Sequence, residues 1–276
     1  MMNYQLGLTG FPLEHSLSPQ IHTAALKACG LRGDYSLFPI APDDKQGLRD
    51  LLARVRSGEI HGLNVTIPHK QNVIPLLDEL TPTAQAIGAV NTIYRRGEKL
   101  IGENTDAAGF LSDLKKFVNK ETRKQVNANA LILGAGGAAR AVIYALANDG
   151  WNVTIAARKM EQAAQLADSF SNYKLQVTDD LTFFIPHSSL IINATPVGMF
   201  PNVNASPLPE NFPLPASAFV YDLVYNPTET KLVRDARAQG CSAVTGFGML
   251  SAQAALAFEI WTGCRVAQIS DLRRKP

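Results

Sequence analysis

Apolar and polar positions alternate along the chain in a series of short strand-like runs and longer helix-like segments. Apolar runs typical of buried strands occupy Tyr4–Gly10, Tyr35–Ile40 and Ile60–Ile67. Between them, Pro19–Cys29 and Asp43–Ser57 have the apolar spacing of helices. Strands that alternate with helices in this way predict a mostly parallel sheet with helices on both faces.

The series continues and then begins again in the second half of the chain. Ala89–Tyr94 and Lys99–Gly102 predict a hairpin across Arg96-Gly97, followed by a helix from Asp106 to Val118, and the polar stretch 119–129 predicts a loop. The remaining predicted strands and helices are, in chain order, Ala130–Leu133, Ala138–Asn148, Asn152–Ala157, Glu161–Phe170, Leu175–Thr178, Leu190–Asn193, Phe219–Leu223, Thr228–Gln239 and Leu250–Trp261. The restart predicts an α/β protein with two α/β domains.

Composition excludes several classes of protein. A chain of 276 residues with 46% hydrophobic and 18% charged residues is long and apolar enough for two folded domains. Its 26 basic and 24 acidic residues leave a net charge of +2, which indicates neither a nucleic-acid partner nor a polybasic membrane surface. The first residues lack the pattern of a signal peptide, and the longest apolar stretch, Ala138–Ala147, is too short to span a bilayer. We therefore expect a cytoplasmic protein with no membrane partner.

The cysteines and histidines predict no metal site. Cys29, Cys241 and Cys264 lie far apart, and no pair has CxxC or metal-ligand spacing. A sparse, odd set is typical of reduced thiols in a cytosolic protein, where each cysteine is a small packing residue. The five histidines include no HExxH pair.

A glycine-rich turn joins the predicted strand Ala130–Leu133 to the predicted helix Ala138–Asn148. Gly134 permits the tight turn, Gly136 lets the backbone approach a pyrophosphate, and Ala139 is small enough for close helix–strand packing. The free N–H groups at the start of the helix can then face phosphate. This arrangement predicts a dinucleotide site, with a plain tight turn as the alternative.

The residues after the next predicted strand indicate which dinucleotide is bound. NAD enzymes usually carry Asp or Glu there, to bind the ribose 2′-hydroxyl. This chain has Ala157 followed by Arg158 and Lys159. A carboxylate would repel a 2′-phosphate, whereas a planar guanidinium can hold it. The segment favours NADP over NAD, with a solvated pair of surface cations as the alternative.

Polar residues also cluster near predicted strand ends in the first half. Ser16 and Ser18 precede a helix, where two hydroxyls and free N–H groups suit a small carboxylate, although Ser18 also suits an N-cap. Asn64 and Thr66 share one face of a strand, and Lys70 follows in the next turn.

Two further polar residues extend this set. Asn91 interrupts an apolar run, and Asp106 lies at a predicted helix start, where a helix cap is the alternative role. Ligands of open α/β sheets bind at the carboxyl ends of strands. A Lys, an Asp and two Asn at such ends suit a polyhydroxylated, anionic small molecule.

These residues belong to seven short motifs that resemble those of the shikimate dehydrogenase family in order and spacing, over nearly the whole chain. The motifs are HSLSP, NVTIPHK, AVNTI, NTDAAGF, GAGGAAR, INATPVGM and VTGFGMLSAQAA. The resemblance implies NADP-dependent interconversion of 3-dehydroshikimate and shikimate, a step of aromatic amino acid biosynthesis. Lys70 would be the proton donor and acceptor, with Asp106 as its partner.

The resemblance also implies two sets of binding residues. The residues expected to bind substrate are Ser16, Ser18, Asn64, Thr66, Lys70, Asn91, Asp106, Tyr225 and Gln253. The residues expected to bind cofactor are Gly134, Ala135, Gly136, Gly137, Ala138, Arg158, Lys159, Thr195, Val197, Gly246 and Met249.

The family's architecture gives the expected domains. Residues 1–105 would form the substrate-binding and catalytic domain, and 106–245 would form a Rossmann-type NADP-binding domain. Residues 246–276, with a C-terminal helix, would pack back onto the first domain, and the cleft between the domains would be the active site. The expected partner is a small-molecule substrate, and the expected assembly is a monomer or a homodimer.

One departure from the family concerns the cofactor preference, and two alternatives to the resemblance stay open. The family usually has Asn at the position of Ala157, so this chain lacks one contact to the adenosine ribose. The first alternative is a broader quinate/shikimate dehydrogenase that uses NAD or NADP. The second is a non-catalytic module that senses NADP and a shikimate-like effector, although Lys70 and Asp106 are both present.

Overall fold

The structure, a computed structural model, describes residues 2–118 and 128–266 of the chain. The chain divides into two compact units, one with the residues up to Gly109 and from Ser251 onwards, and one with Phe110–Leu250. Asp106, which was predicted to begin the second domain, belongs to the first unit. Most of the predicted loop 119–129, and the end of the predicted C-terminal segment, lie outside the described residues.

The described strands and helices follow the predicted alternation. The strands are β1 Asn3–Gly10, β2 Arg32–Pro39, β3 Gly62–Val65, β4 Glu79–Leu80, β5 Thr92–Arg96, β6 Lys99–Glu103, β7 Asn129–Leu133, β8 Asn152–Ala156, β9 Leu175–Thr178, β10 Leu190–Asn193, β11 Phe219–Asp222 and β12 Ser242–Thr245. The helices are α1 Ser18–Ala28, α2 Lys45–Ser57, α3 Pro82–Ile87, α4 Asp106–Phe117, α5 Gly137–Asn148, α6 Met160–Asp168, α7 Leu181–Phe184, α8 Lys231–Ala238 and α9 Phe247–Thr262, with 3-10 turns at Ile74–Leu76 and Ile185–His187.

The first unit contains a six-stranded sheet in the order β2-β1-β3-β5-β6-β4. β1 pairs in parallel with β2 and β3, whereas β5 runs antiparallel to both β3 and β6. The antiparallel pair β5 and β6 is the predicted hairpin, and Gly97 in its turn has φ +62°, a left-handed conformation that glycine adopts without steric cost. Because β4 pairs in parallel with β6, five of the six described strands of this sheet run in the same direction, and β5 is the antiparallel one.

The helix α2 shows how the first core forms. Leu48, Leu51, Leu52 and Val55 recur at helical spacing, and all four are buried in one cluster with Leu63 of β3. Asp44 caps the helix by accepting a hydrogen bond from the backbone N–H of residue 47 at 2.8 Å. The apolar stripe therefore faces the sheet, and the polar positions of the helix face away from it.

The second unit contains a six-stranded sheet in the order β12-β11-β10-β7-β8-β9, in which every pair is parallel. This is the doubly wound arrangement of dinucleotide-binding domains, and the strand order reverses between β7 and β10. The loops that follow β7 and β10 therefore leave the sheet side by side, at the point where such folds bind ligands.

Four short elements were missed by the sequence patterns, and each is too short to show a periodic pattern. They are the helices Pro82–Ile87 and Leu181–Phe184 and the strands Glu79–Leu80 and Ser242–Thr245. The helix Pro82–Ile87 nevertheless carries its own local indications. Thr81 accepts a hydrogen bond from the N–H of Ala84 at 3.2 Å, a proline follows the cap, and a left-handed glycine ends the helix.

Within the described residues, no helix is both long and apolar enough to cross a membrane.

The prediction of reduced thiols is wrong for two of the three cysteines. Cys29, at the C-terminal end of α1, forms a disulfide with Cys264, which follows α9, and their Cα atoms are 6.5 Å apart. The sequence separation of 235 residues hid this pairing. Cys241 is free and buried.

Aromatic residues of the first unit surround a buried histidine. The ring of His22 on α1 stacks parallel to Tyr35 at a centroid distance of 4.4 Å and also lies near Phe258 and Trp261 of α9. The Trp261 indole donates a hydrogen bond to the carbonyl of Ile93 at 3.1 Å. Burial lowers the pKa of His22 to about 3, and the neighbouring Asn64 amide opposes this shift. The imidazole is therefore neutral at physiological pH.

The disulfide predicts a stability difference that depends on reductant. A crosslink over a long loop restricts the unfolded chain and typically stabilises a protein by about 2–5 kcal/mol. We expect dithiothreitol to lower the free energy of unfolding of the wild type by this amount, measured by urea unfolding with circular dichroism. Cys29→Ser should have the lower value with or without reductant, and Cys241→Ala should respond to reductant as the wild type does. Equal wild-type values in both buffers would contradict the crosslink.

The neutral His22 predicts a steep loss of stability in acid. Its pKa in the folded state lies below the 6.5 of the unfolded chain, so the unfolded chain binds the additional proton and the free energy of unfolding decreases as pH falls below about 6.5. His22→Phe keeps a stacking ring without this titration. Between pH 7 and 4.5, we expect the wild type to lose about 2–3 kcal/mol more than the variant in urea unfolding. Parallel pH profiles would contradict burial of a neutral imidazole.

Candidate active site

Polar side chains of the first unit meet beyond the carboxyl end of β3. The turn that carries Lys70 is held on both sides, because the carbonyl of Lys70 accepts from the N–H of Val90 at 2.8 Å and the buried His69 ring bonds the carbonyl of Ile40 at 2.8 Å. His69 therefore supports the turn, and Lys70 extends from a fixed backbone.

Lys70 and Asp106 form a largely buried ion pair. Lys70 Nζ lies 2.5 Å from Asp106 Oδ2, and the two side chains are only 14% and 7% exposed. Asp106 is the first residue of α4, where the helix dipole favours a negative charge. A buried pair of opposite charges pays for its desolvation only when further hydrogen bonds hold it. Asn91 supplies one, since its Nδ2 donates to Asp106 Oδ1 at 2.9 Å.

Asn91 joins the ion pair to the last helix. Thr105 Oγ1 at 2.9 Å and Gln253 Oε1 of α9 at 3.2 Å also lie within hydrogen-bond distance of its Nδ2, so the two hydrogens of the amide are shared among three acceptors. Its Oδ1 accepts from the backbone N–H of Thr105 at 2.7 Å. These residues are all buried. Four of the residues predicted to bind substrate, Lys70, Asn91, Asp106 and Gln253, are thus brought into one hydrogen-bonded group.

Asn64 connects to the same group through β5. Its Nδ2 donates to the carbonyl of Asn91 at 3.1 Å and to Thr92 Oγ1 at 3.3 Å. Thr66, two residues further along, is half-buried, and its backbone N–H donates to the carbonyl of Thr9 on the neighbouring strand. Thr66 follows directly after β3, and one face for the two side chains stays a prediction from the period of two.

Ser16 and Ser18 lie at the N-terminus of α1. Ser18 is the first residue of the helix and is buried, so its predicted role as N-cap is wrong, and Leu17 occupies that position without a side-chain cap. Ser16 Oγ accepts instead from the N–H of Ser18 at 3.2 Å. Helix N–H groups and two hydroxyls still meet here, which is the arrangement that suits a carboxylate.

The glycine turn of the second unit has the geometry expected of a dinucleotide site. Gly134 has φ +105°, and a Cβ there would lie 2.7 Å from the Thr195 side chain, so only glycine fits. A Cβ at Gly136 would contact no described protein atom within 4 Å, so protein packing does not require glycine there. Gly136 is the N-cap of α5, and Ala139 is fully buried one turn later. Helix N–H groups with a bare backbone before them fit a pyrophosphate.

The neighbouring residues complete the predicted cofactor set. Gly137 and Ala138 begin α5, and the carbonyl of Ala135 accepts from Gln162 of α6 at 3.3 Å. Arg158 and Lys159 are exposed and follow the carboxyl end of β8 after Ala157. Two cations without an intervening carboxylate fit a 2′-phosphate better than a free hydroxyl.

Thr195 and Val197 belong to a loop after β10 that is fixed by buried side chains. Asn193 Oδ1 accepts from both the backbone N–H and the hydroxyl of Thr195, at 3.0 and 2.6 Å. Asn193 Nδ2 donates to the carbonyl of Val197 at 3.1 Å and to the carboxylate of Asp222 at 2.9 Å. Burial raises the pKa of Asp222 to about 6, against the effect of its hydrogen bonds from Thr230, residue 224 and Asn193.

Three remaining predicted residues lie in the second unit. A Cβ at Gly246 would lie 2.2 Å from the carbonyl oxygen of Leu223, so this close approach requires glycine. Met249 is buried, and burial raises the pKa of the half-buried Tyr225. Tyr225 is not among the side chains hydrogen-bonded around Asn91.

Sequence reasoning missed three residues that hold the predicted ones. Thr105 is hydrogen-bonded to Asn91 through both its backbone N–H and its hydroxyl. It lies in the motif NTDAAGF, which could have indicated its role. Asp222 anchors the loop after β10. Tyr35 donates to Asn64 from β2, and nothing in its apolar surroundings in the sequence indicated a polar contact.

Family models match three segments of the chain. Residues 8–93 match the shikimate dehydrogenase substrate binding domain. Residues 115–200 match the shikimate / quinate 5-dehydrogenase model, and residues 246–270 match the shikimate 5'-dehydrogenase C-terminal domain.

Whole-chain relatives agree with the models. The chain is 40% identical over 265 residues to a shikimate dehydrogenase (NADP(+)) of Crocosphaera subtropica, covering 93% of this chain and 90% of the relative. The structure of shikimate 5-dehydrogenase from Thermus thermophilus in complex with NADP(H) and shikimate is 38% identical with a TM-score of 0.83, covering 95% and 94% of the two chains. A quinate dehydrogenase from Corynebacterium glutamicum in complex with NAD is 32% identical with a TM-score of 0.85, covering 98% and 97%. The chain belongs to the shikimate dehydrogenase family.

Proposed function

We propose that the protein is an NADP-dependent oxidoreductase that interconverts 3-dehydroshikimate and shikimate. The observation that carries the proposal is the buried Lys70–Asp106 pair, joined through Asn91 to Gln253, in a chain 40% identical to an NADP-dependent shikimate dehydrogenase. Such a group offers both a cation and several hydrogen-bonding oxygens and nitrogens to a small polar molecule.

The first unit binds the substrate. Ser16, Ser18 and the free N–H groups of α1 hold the carboxylate, because a helix N-terminus favours an anion. The ring hydroxyls contact the group around Asn91, from which Asn64, Asp106 and Gln253 are available, together with Thr66. Tyr225, from the second unit, is proposed as a further substrate contact.

Lys70 donates and accepts the proton of the reaction. Of its three N–H donors, one bonds Asp106 Oδ2, and the other two, which have no acceptor among the described residues, serve the oxygen that is reduced or oxidised. As negative charge develops on that oxygen, the ammonium stabilises it and donates a proton, and in the oxidation of the alcohol the amine takes a proton back. Asp106 orients the ammonium and accepts a hydrogen bond from a ring hydroxyl. Burial of both side chains excludes water, which strengthens these interactions.

The second unit holds NADP. The pyrophosphate would be held by Gly134, Ala135, Gly136, Gly137 and Ala138 at the start of α5, and the 2′-phosphate by Arg158 and Lys159. The path of the dinucleotide would be lined by Thr195, Val197, Gly246 and Met249. When bound, the reduced nicotinamide supplies the hydride that the substrate carbon accepts.

A broader quinate/shikimate dehydrogenase that uses NAD or NADP is the second candidate. Two observations favour it. Ala157 replaces the asparagine usual in the family, and a quinate dehydrogenase in complex with NAD has a closely similar fold. Arg158 and Lys159 favour NADP over NAD in this chain. A non-catalytic sensor needs no buried cation beside a carboxylate, and the Lys70–Asp106 pair therefore argues against it.

The proposed location is the cytoplasm, and the proposed assembly is a monomer or a homodimer. Because Cys29 and Cys264 form a disulfide, reduced thiols no longer support a cytoplasmic location. The proposed location then rests on the biosynthetic activity that the family shares. Light scattering of the purified protein gives the assembly directly.

The proposal predicts a definite pattern of activity. We expect absorbance of reduced nicotinamide to rise rapidly with shikimate and NADP, and at least tenfold more slowly when NAD replaces NADP or quinate replaces shikimate. Comparable rates with quinate or NAD would favour the broader enzyme. Binding of both ligands, measured by calorimetry, without any turnover would contradict an enzymatic function.

Lys70→Ala should abolish most turnover while leaving substrate binding nearly intact. Loss of general acid–base help costs about 100- to 10,000-fold in rate, whereas the carboxylate and most hydroxyl contacts remain. We therefore expect kcat to fall by this factor, and the Kd for shikimate to change less than tenfold by calorimetry.

The matched control for that variant is Lys99→Ala. Lys99 lies on β6 of the same unit, is mostly exposed and pairs only loosely with Glu79 at 3.5 Å. Its removal should leave kcat and the Kd unchanged. Wild-type turnover in Lys70→Ala would contradict the role of Lys70.

A further inference from the structure

Tyr35 reaches Asn64 from two strands away. Tyr35 lies on β2, Asn64 lies on β3, and β1 separates them in the sheet. The Tyr35 hydroxyl nevertheless donates to Asn64 Oδ1 at 2.8 Å, and both side chains are buried. No pattern in the sequence indicated this contact.

Three hydrogen bonds define the orientation of the Asn64 amide, and the Tyr35 hydroxyl makes one of them. The hydroxyl faces Oδ1, while Nδ2 donates on the other side to the carbonyl of Asn91 and to Thr92 Oγ1. Both hydrogens of the amide are thus used within the protein, and Oδ1 keeps one lone pair. Asn64 in this orientation can accept a hydrogen bond from a ring hydroxyl.

The phenol ring of Tyr35 is itself held in place. It stacks on the neutral imidazole of His22 with an interplanar angle of 2°, and His22 is fully buried. Neither imidazole nitrogen makes a well-formed hydrogen bond to a described residue, although the ring also lies beside the Asn64 amide. The contact of His22 with Tyr35 is the stacking of the two rings. His22 lies one helical turn after Ser18 on α1, so one helix supports Tyr35 and also carries a serine proposed to bind substrate.

We propose that Tyr35 is a positioning residue for substrate recognition, whose hydroxyl holds the Asn64 amide ready to accept a hydrogen bond from a ring hydroxyl of the substrate. This inference rests on the proposed function, because it gives Asn64 a substrate to bind. Tyr35 acts only through Asn64 and does not touch the reacting atoms. The cofactor, bound by other residues, should not sense its loss.

The test is Tyr35→Phe, which removes one oxygen and keeps the stacked ring. A neutral hydrogen bond of this kind corresponds to a change of about 3- to 10-fold. We expect the KM for shikimate to rise by that factor, with the KM for NADP and the kcat within twofold of the wild type. The control is Tyr4→Phe on β1, whose ring packs against His61 and which should change none of these constants.

A double-mutant cycle separates positioning from a general structural role. If Tyr35 acts through Asn64, then Tyr35→Phe should lower kcat/KM for shikimate in the wild type but not in an Asn64→Ala background. Equal losses in both backgrounds, an unchanged KM for shikimate, or a parallel rise in both KM values would overturn the proposal. Wild-type turnover is measured first. A wild type inactive with every substrate would refute the proposed function and this inference together, whereas an active wild type with an unaffected Tyr35→Phe variant refutes this inference alone.

Discussion

The carboxamide of Asn91 is the interaction around which the polar site of the first unit is built. A buried amide must find partners for each of its donors and acceptors, because water is excluded. Asn91 finds them on two segments that are far apart in the chain, one with Thr105 and Asp106 and the other with Gln253. The ion pair, the start of α4 and the last helix therefore hold one another in place, and a displacement of one shifts the hydrogen bonds of the others.

The second unit uses the same solution at the end of β10. Asn193 is fully buried, and its Oδ1 accepts from Thr195 while its Nδ2 donates to the carbonyl of Val197 and to Asp222. In both units a buried asparagine near a strand end fixes the loop that the sequence motifs assign to a ligand. An amide suits this position because it donates and accepts at once, and carries no charge that burial would penalise.

Regular patterns made much of this structure predictable. The two series of strands and helices, the hairpin at Gly97 and the glycine turn at Gly134 follow from local spacing and backbone preference, which a sequence displays directly. The strand order of the first sheet, with the antiparallel β5 between β3 and β6, does not follow from local spacing. Short elements such as β4 and β12 carry too few residues to show a period, and their place is decided by the strands beside them.

Contacts between distant residues were the part that local reasoning could not reach. The group around Asn91 was anticipated because its members lie in motifs with a family resemblance. The role of Tyr35 was not anticipated, because its contact with Asn64 depends on the sheet order, in which β1 lies between β2 and β3. The pairing of Cys29 with Cys264 likewise depends on where α1 and the residues after α9 meet.

The disulfide makes residues 29–264 a covalently closed ring, and the whole second unit lies within that ring. A protease that cuts one bond anywhere in Phe110–Leu250 therefore opens the ring without releasing a fragment, and the mass of the oxidised molecule rises only by one water. The second unit is thus tethered to the first at both of its ends, even when its own chain is broken.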